Sequence, residues 1–255
     1  MKDCHAVHAP MEARLKLSKD SSEKAVDATL YRSIIGSLRY LVHTRPDITF
    51  VVGYLSRFME APASDHLAAV KHLLRYIAGT LTHGCVYCRG DGESLVGYND
   101  SDHARDMDSR KSTSGILFLP GNSPISWQSV RQKVVAASSC DADYIAAATL
   151  ACQGIWLARH LGEMLNQDTT PALIFVDNKS AISLCKNPVL HDRSKHIDLR
   201  YHFIRECVEK GTVIVEFIRT GEQKADILTK SLGRVRFQEP RDKVGIMDIK
   251  LLRQS

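Results

Sequence analysis

A short apolar run at residues 95–99 ends directly in a carboxylate, and this pattern constrains the fold more than any other stretch. Leu95, Val96 and Tyr98 have the apolar and aromatic character of a strand, and Asp100 follows where that character stops. A buried strand that ends in an acidic residue presents a charge at the edge of its sheet. The sequence therefore predicts an α/β fold with an acidic site at a strand end.

Three later segments repeat this arrangement, each with an acidic residue after an apolar strand or within the start of a helix. The four residues of the pattern are Asp100, Asp143, Asp177 and Asp226. Crowded carboxylates repel one another unless a cation lies among them, and Mg²⁺ prefers such oxygen ligands. We expect the four side chains to converge within a few ångströms. Spacing alone leaves open the alternative that each is an ordinary surface aspartate.

Periodicity divides the chain into four predicted regions. Residues 1–29 are polar and aperiodic, which predicts an extended lead-in. Residues 30–92 carry apolar side chains at three-to-four spacing, which predicts a small helical region. Residues 93–232 alternate strands and helices, and the order of these elements predicts a mixed five-stranded sheet flanked by helices. Residues 233–255 form a basic tail without a clear assignment.

The predicted elements of residues 93–232 follow from apolar runs, turn residues and caps. Ser138, three residues before Asp141, resembles a capping box that starts the longest helix. The strands are predicted at 95–99, 115–119, 125–127, 172–176 and 213–218, and the helices at 141–161, near 180–186, at 198–209 and at 223–230.

Bulk composition narrows the function class. A formal charge of +5 is compatible with a polyanionic partner. Seven scattered cysteines, an odd number, do not suggest a disulfide framework and favour a reducing, intracellular compartment such as the cytoplasm or nucleus. The first six residues show no apolar leader, and no apolar run is long enough to span a bilayer, so we expect no membrane partner.

Short motifs stand in order along nearly the whole chain. In the first half these are YRSIIGSLRYL at 31–41, TRPDI at 44–48 and LRYIAGT at 74–80. In the second half they are GYNDSD at 97–102, RKSTSG at 110–115, ISW at 125–127, SSCDADY at 138–144, DNKSAI at 177–182, KHID at 195–198 and ADILTK at 225–230. The later motifs resemble the ribonuclease H domain of copia-type retrotransposon Pol polyproteins, and the earlier ones resemble the segment that joins reverse transcriptase to it.

The resemblance implies a function and a set of site residues. The implied activity is metal-dependent cleavage of the RNA strand of an RNA–DNA hybrid, with two Mg²⁺ ions, or Mn²⁺. The implied catalytic and metal-binding residues are Asp100, Asp143, Asp177 and Asp226. The candidate substrate contacts are Arg110, Lys111, Asn178, Arg193 and Lys195. The alternative for each of the basic ones is a solvated surface cation.

The chain departs from the family pattern at the acidic helix. The family usually has Glu at both acidic places there, and this chain has Asp141 and Asp143. Asp is one methylene shorter, and a displacement of about 1 Å can cost on the order of a hundredfold in rate. We therefore expect weak cleavage that Asp143→Glu raises. No Tyr-x-Asp-Asp polymerase motif occurs, so we expect a polyprotein fragment that does not polymerise DNA.

A second hypothesis belongs to another class of protein. Stand-alone copia-like pieces of this size also resemble secreted RxLR effectors of oomycete plant pathogens, which bind host proteins inside plant cells and suppress defence. The altered acidic helix and the short length would suit such a non-catalytic role. The absence of an Arg-x-Leu-Arg sequence and of an apolar leader argues against it. A third alternative is a decayed copy that is not expressed.

Overall fold

The computed structural model describes residues 4–87, 94–186 and 198–252. The helices are α1 Ala28–Leu41, α2 Thr49–Leu55, α3 Ser64–Gly79, α4 Ser139–Leu165, α5 Lys179–Lys186, α6 Asp198–Glu209, α7 Arg234–Lys243 and α8 Ile249–Leu252. The strands are β1 His83–Cys85, β2 Leu95–Ser101, β3 Thr113–Pro120, β4 Ser126–Arg131, β5 Ala172–Val176, β6 Val213–Phe217 and β7 Ile246–Asp248. Single 3₁₀ turns occur at Pro46–Ile48, Ser56–Phe58, Thr220–Glu222 and Lys224–Leu228.

Five strands form one mixed sheet in the order β4-β3-β2-β5-β6. The strand β2 lies at its centre, antiparallel to β3 and parallel to β5. The predicted ribonuclease H-like sheet flanked by helices is therefore confirmed. Because β2 and β5 run in the same direction, their carboxyl ends reach the same edge, and Asp100 and Asp177 meet there.

The helix α4 covers one face of this sheet. It begins where the Ser138 hydroxyl accepts a hydrogen bond of 3.1 Å from the Asp141 N–H, as the capping pattern predicted. A run of alanines and glycines on its buried side allows close approach to the strands. At Gly154, for example, an added Cβ would lie 3.2 Å from the Cβ of Ala172 on β5. This close packing fixes the amino end of α4, and with it Asp143, at the carboxyl edge of the sheet.

The helical region covers the other face. Tyr31 of α1 and Leu73 of α3 belong to the same apolar core as Leu117 and Leu119 of β3. The predicted lead-in has little regular structure, yet Leu17 is buried there and its N–H donates a 2.9 Å hydrogen bond to the Tyr54 hydroxyl. One core thus joins the lead-in, the helices and the sheet. The proposed region boundaries at residues 29, 92 and 232 remain predictions.

Two motifs of the helical region meet in a buried polar network. The Arg45 guanidinium donates to both carboxylate oxygens of Asp47, at 2.8 and 2.7 Å. The Tyr76 hydroxyl donates to the same carboxylate at 2.6 Å, and Thr80 Oγ1 accepts from Arg45 at 2.9 Å. The TRPDI and LRYIAGT motifs therefore have a structural explanation, because each supplies one half of a satisfied charge network.

The basic tail, which sequence reasoning left unassigned, returns to the helical region. Its strand β7 pairs antiparallel with β1, with Cys85 opposite Ile246. In α7, Phe237 packs edge-to-face on Tyr76 with 5.7 Å between ring centroids. These contacts join residues more than a hundred positions apart, which a local sequence pattern does not reveal.

Two element predictions differ from the structure. The strand predicted at 125–127 extends over Ser126–Arg131, because an edge strand with one solvent-facing side tolerates the polar residues at which the prediction stopped. The α-helix predicted at 223–230 is only a 3₁₀ turn over Lys224–Leu228. Its i→i+3 hydrogen bonding, such as Thr229 N–H to the Asp226 carbonyl at 3.3 Å, tightens the chain there. Within the described ranges, no helix is both long and apolar enough to cross a bilayer.

Candidate metal centre

Three aspartates converge at the carboxyl edge of the sheet. Asp100 lies near the end of β2, Asp177 directly follows β5, and Asp143 lies in the first turns of α4. One carboxylate oxygen from each lies within 4.8 Å of the other two. Parallel strand direction and the capped start of α4 place them together. The sequence-based expectation of convergence thus holds for these three side chains.

The carboxylate of Asp143 is held in a fixed orientation. The Ser101 hydroxyl donates to its Oδ1 at 2.7 Å, and the Asn178 amide donates to its Oδ2 at 2.8 Å. Asn178 is itself fixed, because its Oδ1 accepts from the Ser180 N–H at 3.0 Å at the start of α5. The shorter Asp side chain therefore reaches the cluster in this structure. The structure shows the Asn178 amide in contact with Asp143, and its role as a substrate contact remains a prediction.

The fourth aspartate joins through a lysine. Lys230 Nζ lies 2.7 Å from Asp226 Oδ1 and 3.5 Å from Asp100 Oδ2. The Thr229 hydroxyl also donates to Asp100 Oδ2. Asp226 is therefore adjacent to the cluster, with an ammonium group between it and Asp100. Sequence reasoning missed Lys230, although its i,i+4 spacing from Asp226 indicates an ion pair.

A glycine in β3 makes room for this arrangement. Gly115 is the register partner of Asp100 on the neighbouring strand. A Cβ at Gly115 would lie 2.7 Å from Thr229 Cγ2 and 2.8 Å from Leu228 Cβ. A larger residue would therefore push the Lys224–Leu228 turn away from the sheet. The absence of a side chain at this position allows Asp226 and Lys230 to approach Asp100.

Burial and mutual repulsion both disfavour the charged forms of these acids. Burial, and then the neighbouring charges of Asp100 and Asp177, raise the pKa of Asp143 to about 6. The pKa of Asp177 is also raised, by burial and by Asp100. Burial and Asp100 raise the pKa of Asp226 to about 7, against the opposing effect of Lys230. A cation among these carboxylates would relieve this cost.

The donor set fits Mg²⁺ or Mn²⁺. Hard divalent cations take carboxylate oxygens, and Mg²⁺ keeps several of its waters, so a few carboxylates are sufficient. Each oxygen of Asp143 that accepts a hydrogen bond has a further lone pair available for a metal. The crowding of acids around Asp100, with raised pKa values, is the observation that supports this fit.

Of the four basic residues predicted to contact the substrate, two lie within the described residues. Arg110 is exposed and Lys111 half-buried, and both lie in the loop between β2 and β3. Arg193 and Lys195 lie outside the described residues, so their placement remains a prediction.

The comparison with known proteins decides the family. The chain is 45% identical over 240 residues to the retrovirus-related Pol polyprotein from transposon RE1 of Arabidopsis thaliana, a match that covers 94% of this chain. The chain belongs to the Pol polyprotein family of copia-type retrotransposons. It corresponds to 16% of the length of that polyprotein, so this copia-type Pol chain represents only a part of such a protein.

Two further comparisons bear on this copia-type Pol chain. It is 42% identical over 128 residues to the Secreted RxLR effector protein 161 of Plasmopara viticola, covering 50% of this chain and 90% of the effector. A ribonuclease H1 isolated from compost aligns with 54% of this chain and 93% of its own, at 12% identity and a TM-score of 0.40. No protein-family model matches the chain.

Proposed function

We propose that the ribonuclease H-like domain of this chain cleaves the RNA strand of RNA–DNA hybrids with the help of divalent metal ions. The single observation that carries this proposal is the convergence of Asp100, Asp143 and Asp177 within 4.8 Å at the carboxyl edge of the central strands. Membership of the copia-type Pol family supplies the substrate class. The roles of Asp100, Asp143, Asp177 and Asp226 as metal-binding and catalytic residues belong to this proposal.

The side chains around the cluster have distinct tasks in this account. A divalent ion held by Asp100, Asp143 and Asp177 would supply Lewis-acid chemistry, lowering the pKa of an attacking water and offsetting charge on the leaving oxygen. Ser101 and Asn178 hold the Asp143 carboxylate toward the other two acids. Thr229 orients Asp100 in the same way. Preorganised ligands of this kind reduce the reorganisation that the reaction would otherwise require.

Recognition of the hybrid would use its backbone. Enzymes of this type distinguish RNA from DNA by contacts to 2′-hydroxyl groups across the shallow minor groove. Basic side chains hold the phosphates, and we assign this task to Arg110 and Lys111, together with Arg193 and Lys195. The net charge of +5 favours association with such a polyanion.

The test is cleavage of a labelled hybrid with Mg²⁺, with Mn²⁺ and with a chelator. We expect weak metal-dependent cleavage by the native chain and loss of at least about a hundredfold in Asp100→Asn, because that substitution removes the central metal ligand. Asp168→Asn is the matched control, since Asp168 is exposed beyond the far end of α4. Cleavage that persists with the chelator, or in Asp100→Asn, would contradict the proposal.

The variant Asp143→Glu tests the departure from the family pattern. Glu would add one methylene to a side chain that Ser101 and Asn178 now hold within 4.8 Å of Asp100 and Asp177, and it would restore the residue that the family usually has there. We expect cleavage to increase about tenfold or more, within the range that a displacement of about 1 Å can produce. A folded Asp143→Glu protein without any cleavage would favour the second candidate function.

The second candidate is a non-catalytic effector role. It is favoured by the 42% identity to the RxLR effector of Plasmopara viticola, 90% of which this chain covers. In that case the protein would be secreted, enter plant host cells and act by binding host proteins. Suppression of defence by both the native chain and Asp100→Asn, without hybrid cleavage by either, would establish this function over the nuclease.

A further inference from the structure

A cationic cavity of about 420 Å³ lies beside the metal centre. Three segments form most of it: residues 11–16 of the lead-in, the helix α2, and the loop between β2 and β3. Ser231 closes one side, and its hydroxyl accepts a 3.1 Å hydrogen bond from the Arg14 N–H. Because Ser231 directly follows Lys230, the cavity adjoins the aspartate cluster.

Positive charge dominates the wall of this cavity. The cationic side chains that line it are Arg14, Lys16, Arg57, Arg105 and Arg110. Among the described residues, Asp102 is the one carboxylate in the lining, and its Oδ1 already accepts a 2.6 Å hydrogen bond from the Thr113 N–H. Arg57 lies 3.4 Å from Asp106, which offsets its charge. Within the ranges that the structure describes, Arg14, Lys16 and Arg110 form no ion pair with a carboxylate, and Arg105 interacts electrostatically with Asp102.

The backbone around the cavity is strained. Three non-glycine residues of its wall have positive φ angles: Arg14 at 62°, Ala104 at 51° and Arg110 at 57°. Asn166 is the one other such residue among those described. L-residues rarely adopt this conformation, and where it persists it clusters at binding and catalytic sites. The strained residues therefore lie in the same two segments that supply the cations Arg14, Lys16, Arg105 and Arg110.

We propose that this cavity holds a backbone phosphate of the nucleic acid strand bound at the metal centre. The inference rests on the proposed function and extends it to the lead-in and α2. Four cations in one cavity wall, supplied by two separate segments and facing the single described carboxylate Asp102, suit a compact anion. Arginine in particular matches the geometry of phosphate oxygens.

The position of the cavity fits a phosphate near the cleavage point. Asp102 in its wall is two residues beyond Asp100, a separation of about 7 Å along an extended chain. A strand of duplex DNA rises about 3.4 Å per nucleotide. The phosphate in the cavity would thus belong to a nucleotide one or two steps from the metal centre. Held there, it would fix the register of the strand.

The experiment compares three variants with one matched control. Arg14→Gln, Arg105→Gln and the double variant each remove cations from the cavity. Arg159→Gln removes an exposed arginine near the other end of α4, about 24 Å along the helix from Asp143. Fluorescence anisotropy measures hybrid affinity over a series of salt concentrations, with a chelator present so that the strand stays intact. Thermal unfolding verifies that each variant is folded.

We expect each single variant to bind the hybrid about tenfold more weakly, as the loss of one charged hydrogen bond implies. The slope of log affinity against log salt should fall by about one in each single variant. Arg159→Gln should leave both quantities unchanged. If the cavity variants and the Arg159→Gln control lost the same amount of hybrid affinity, the inference would be overturned, because that result would indicate a general charge effect.

Other outcomes separate the inference from the proposed function. If the cavity variants bind like the native chain while the native chain still cleaves with Mg²⁺, the cavity inference is wrong and the nuclease proposal stands. Stabilisation by inorganic phosphate alone, with unchanged hybrid affinity in the variants, would also overturn it. If the native chain does not bind the hybrid at all, both proposals are wrong.

Discussion

Two groups of buried acids in this protein have opposite surroundings. Asp47, which is 1% exposed, receives two hydrogen bonds from Arg45 and one from Tyr76, so its charge is fully compensated. Asp143, which is 7% exposed, receives two neutral donors and faces two further carboxylates. The first arrangement stabilises the fold, whereas the second opposes it. Buried carboxylates that outnumber their compensating cation are therefore the feature that marks the candidate site here.

The largest expected effect comes from removing Arg45, the cation that compensates the Asp47 carboxylate. Arg45→Met leaves the Asp47 carboxylate buried with no opposite charge, and we expect the free energy of unfolding to fall by about 3–5 kcal/mol. Denaturant unfolding followed by circular dichroism measures this change. Arg39→Met is the control, because Arg39 is exposed on α1. A loss no larger than in the control would remove the distinction between the two groups.

Neutralising Asp143, a member of the second group, should raise the free energy of unfolding, whereas breaking the first group lowers it. In Asp143→Asn one of three crowded carboxylates becomes neutral with little change in volume. We expect the free energy of unfolding without divalent ions to rise by about 1 kcal/mol near neutral pH, because burial raises the pKa of Asp143 to about 6. The same variant should no longer be stabilised by Mg²⁺. Destabilisation of the metal-free Asp143→Asn protein, relative to Asp168→Asn, would contradict this view.

The pH dependence of stability sharpens the comparison further. The pKa values of Asp143 and Asp226 are raised in the folded chain, to about 6 and about 7, so the fold binds protons more tightly than the unfolded chain does. The metal-free protein should therefore lose stability as the pH rises from about 4 to about 7. Stabilisation by Mg²⁺ should be larger near pH 8 than near pH 5, since protons compete for the same oxygens. Thermal unfolding with and without Mg²⁺ measures both trends, and a larger Mg²⁺ effect at the lower pH would refute the assignment.

The smallest expected effect concerns Lys230, the cation that lies beside the cluster among the described residues. Lys230→Met removes the ammonium group between Asp100 and Asp226 while keeping the volume of the side chain. We expect Mg²⁺ affinity to increase about fivefold, or about 1 kcal/mol, because both carboxylates become available to the metal. Isothermal titration calorimetry gives the affinity and the number of ions bound.

Lys243→Met is the matched control for Lys230→Met. Lys243 forms an ion pair with Glu239 at 2.8 Å and the same i,i+4 spacing, and its Nζ contacts the Gly221 carbonyl at 3.5 Å and not a carboxylate of the cluster. Weaker Mg²⁺ binding in Lys230→Met than in this control would show that the lysine supports metal binding and does not compete with it.

Much of the fold could be predicted because its signals are local. The strand 95–99 and the acidic residue after it are visible as an apolar run that stops at a charge, and Ser138 marks the start of α4 as a cap. Strand direction then brings Asp100 and Asp177 to one edge. The convergence of three aspartates follows from these elements together with the family motifs.

The parts that could not be predicted depend on distant contacts. The pairing of β1 with β7 joins residues 83–85 to residues 246–248, and no pattern in either segment specifies the other. The cationic cavity requires Arg14 and Arg105 to meet across separate segments. The i,i+4 spacing of Lys230 from Asp226 predicts their ion pair from the sequence. The contact of Lys230 with Asp100, in contrast, depends on the close approach of residues 228–229 to Gly115 on β3.

The shared core has a practical consequence for anyone who isolates the ribonuclease H-like part of such polyproteins. A fragment cut to begin just before β2 would leave the β3 side chains Leu117 and Leu119 facing water, since the helices that cover them precede the cut. Exposed apolar surface of this kind promotes aggregation. The segment needed to bury this face of the sheet therefore extends upstream of β2 and includes the helices α1 to α3.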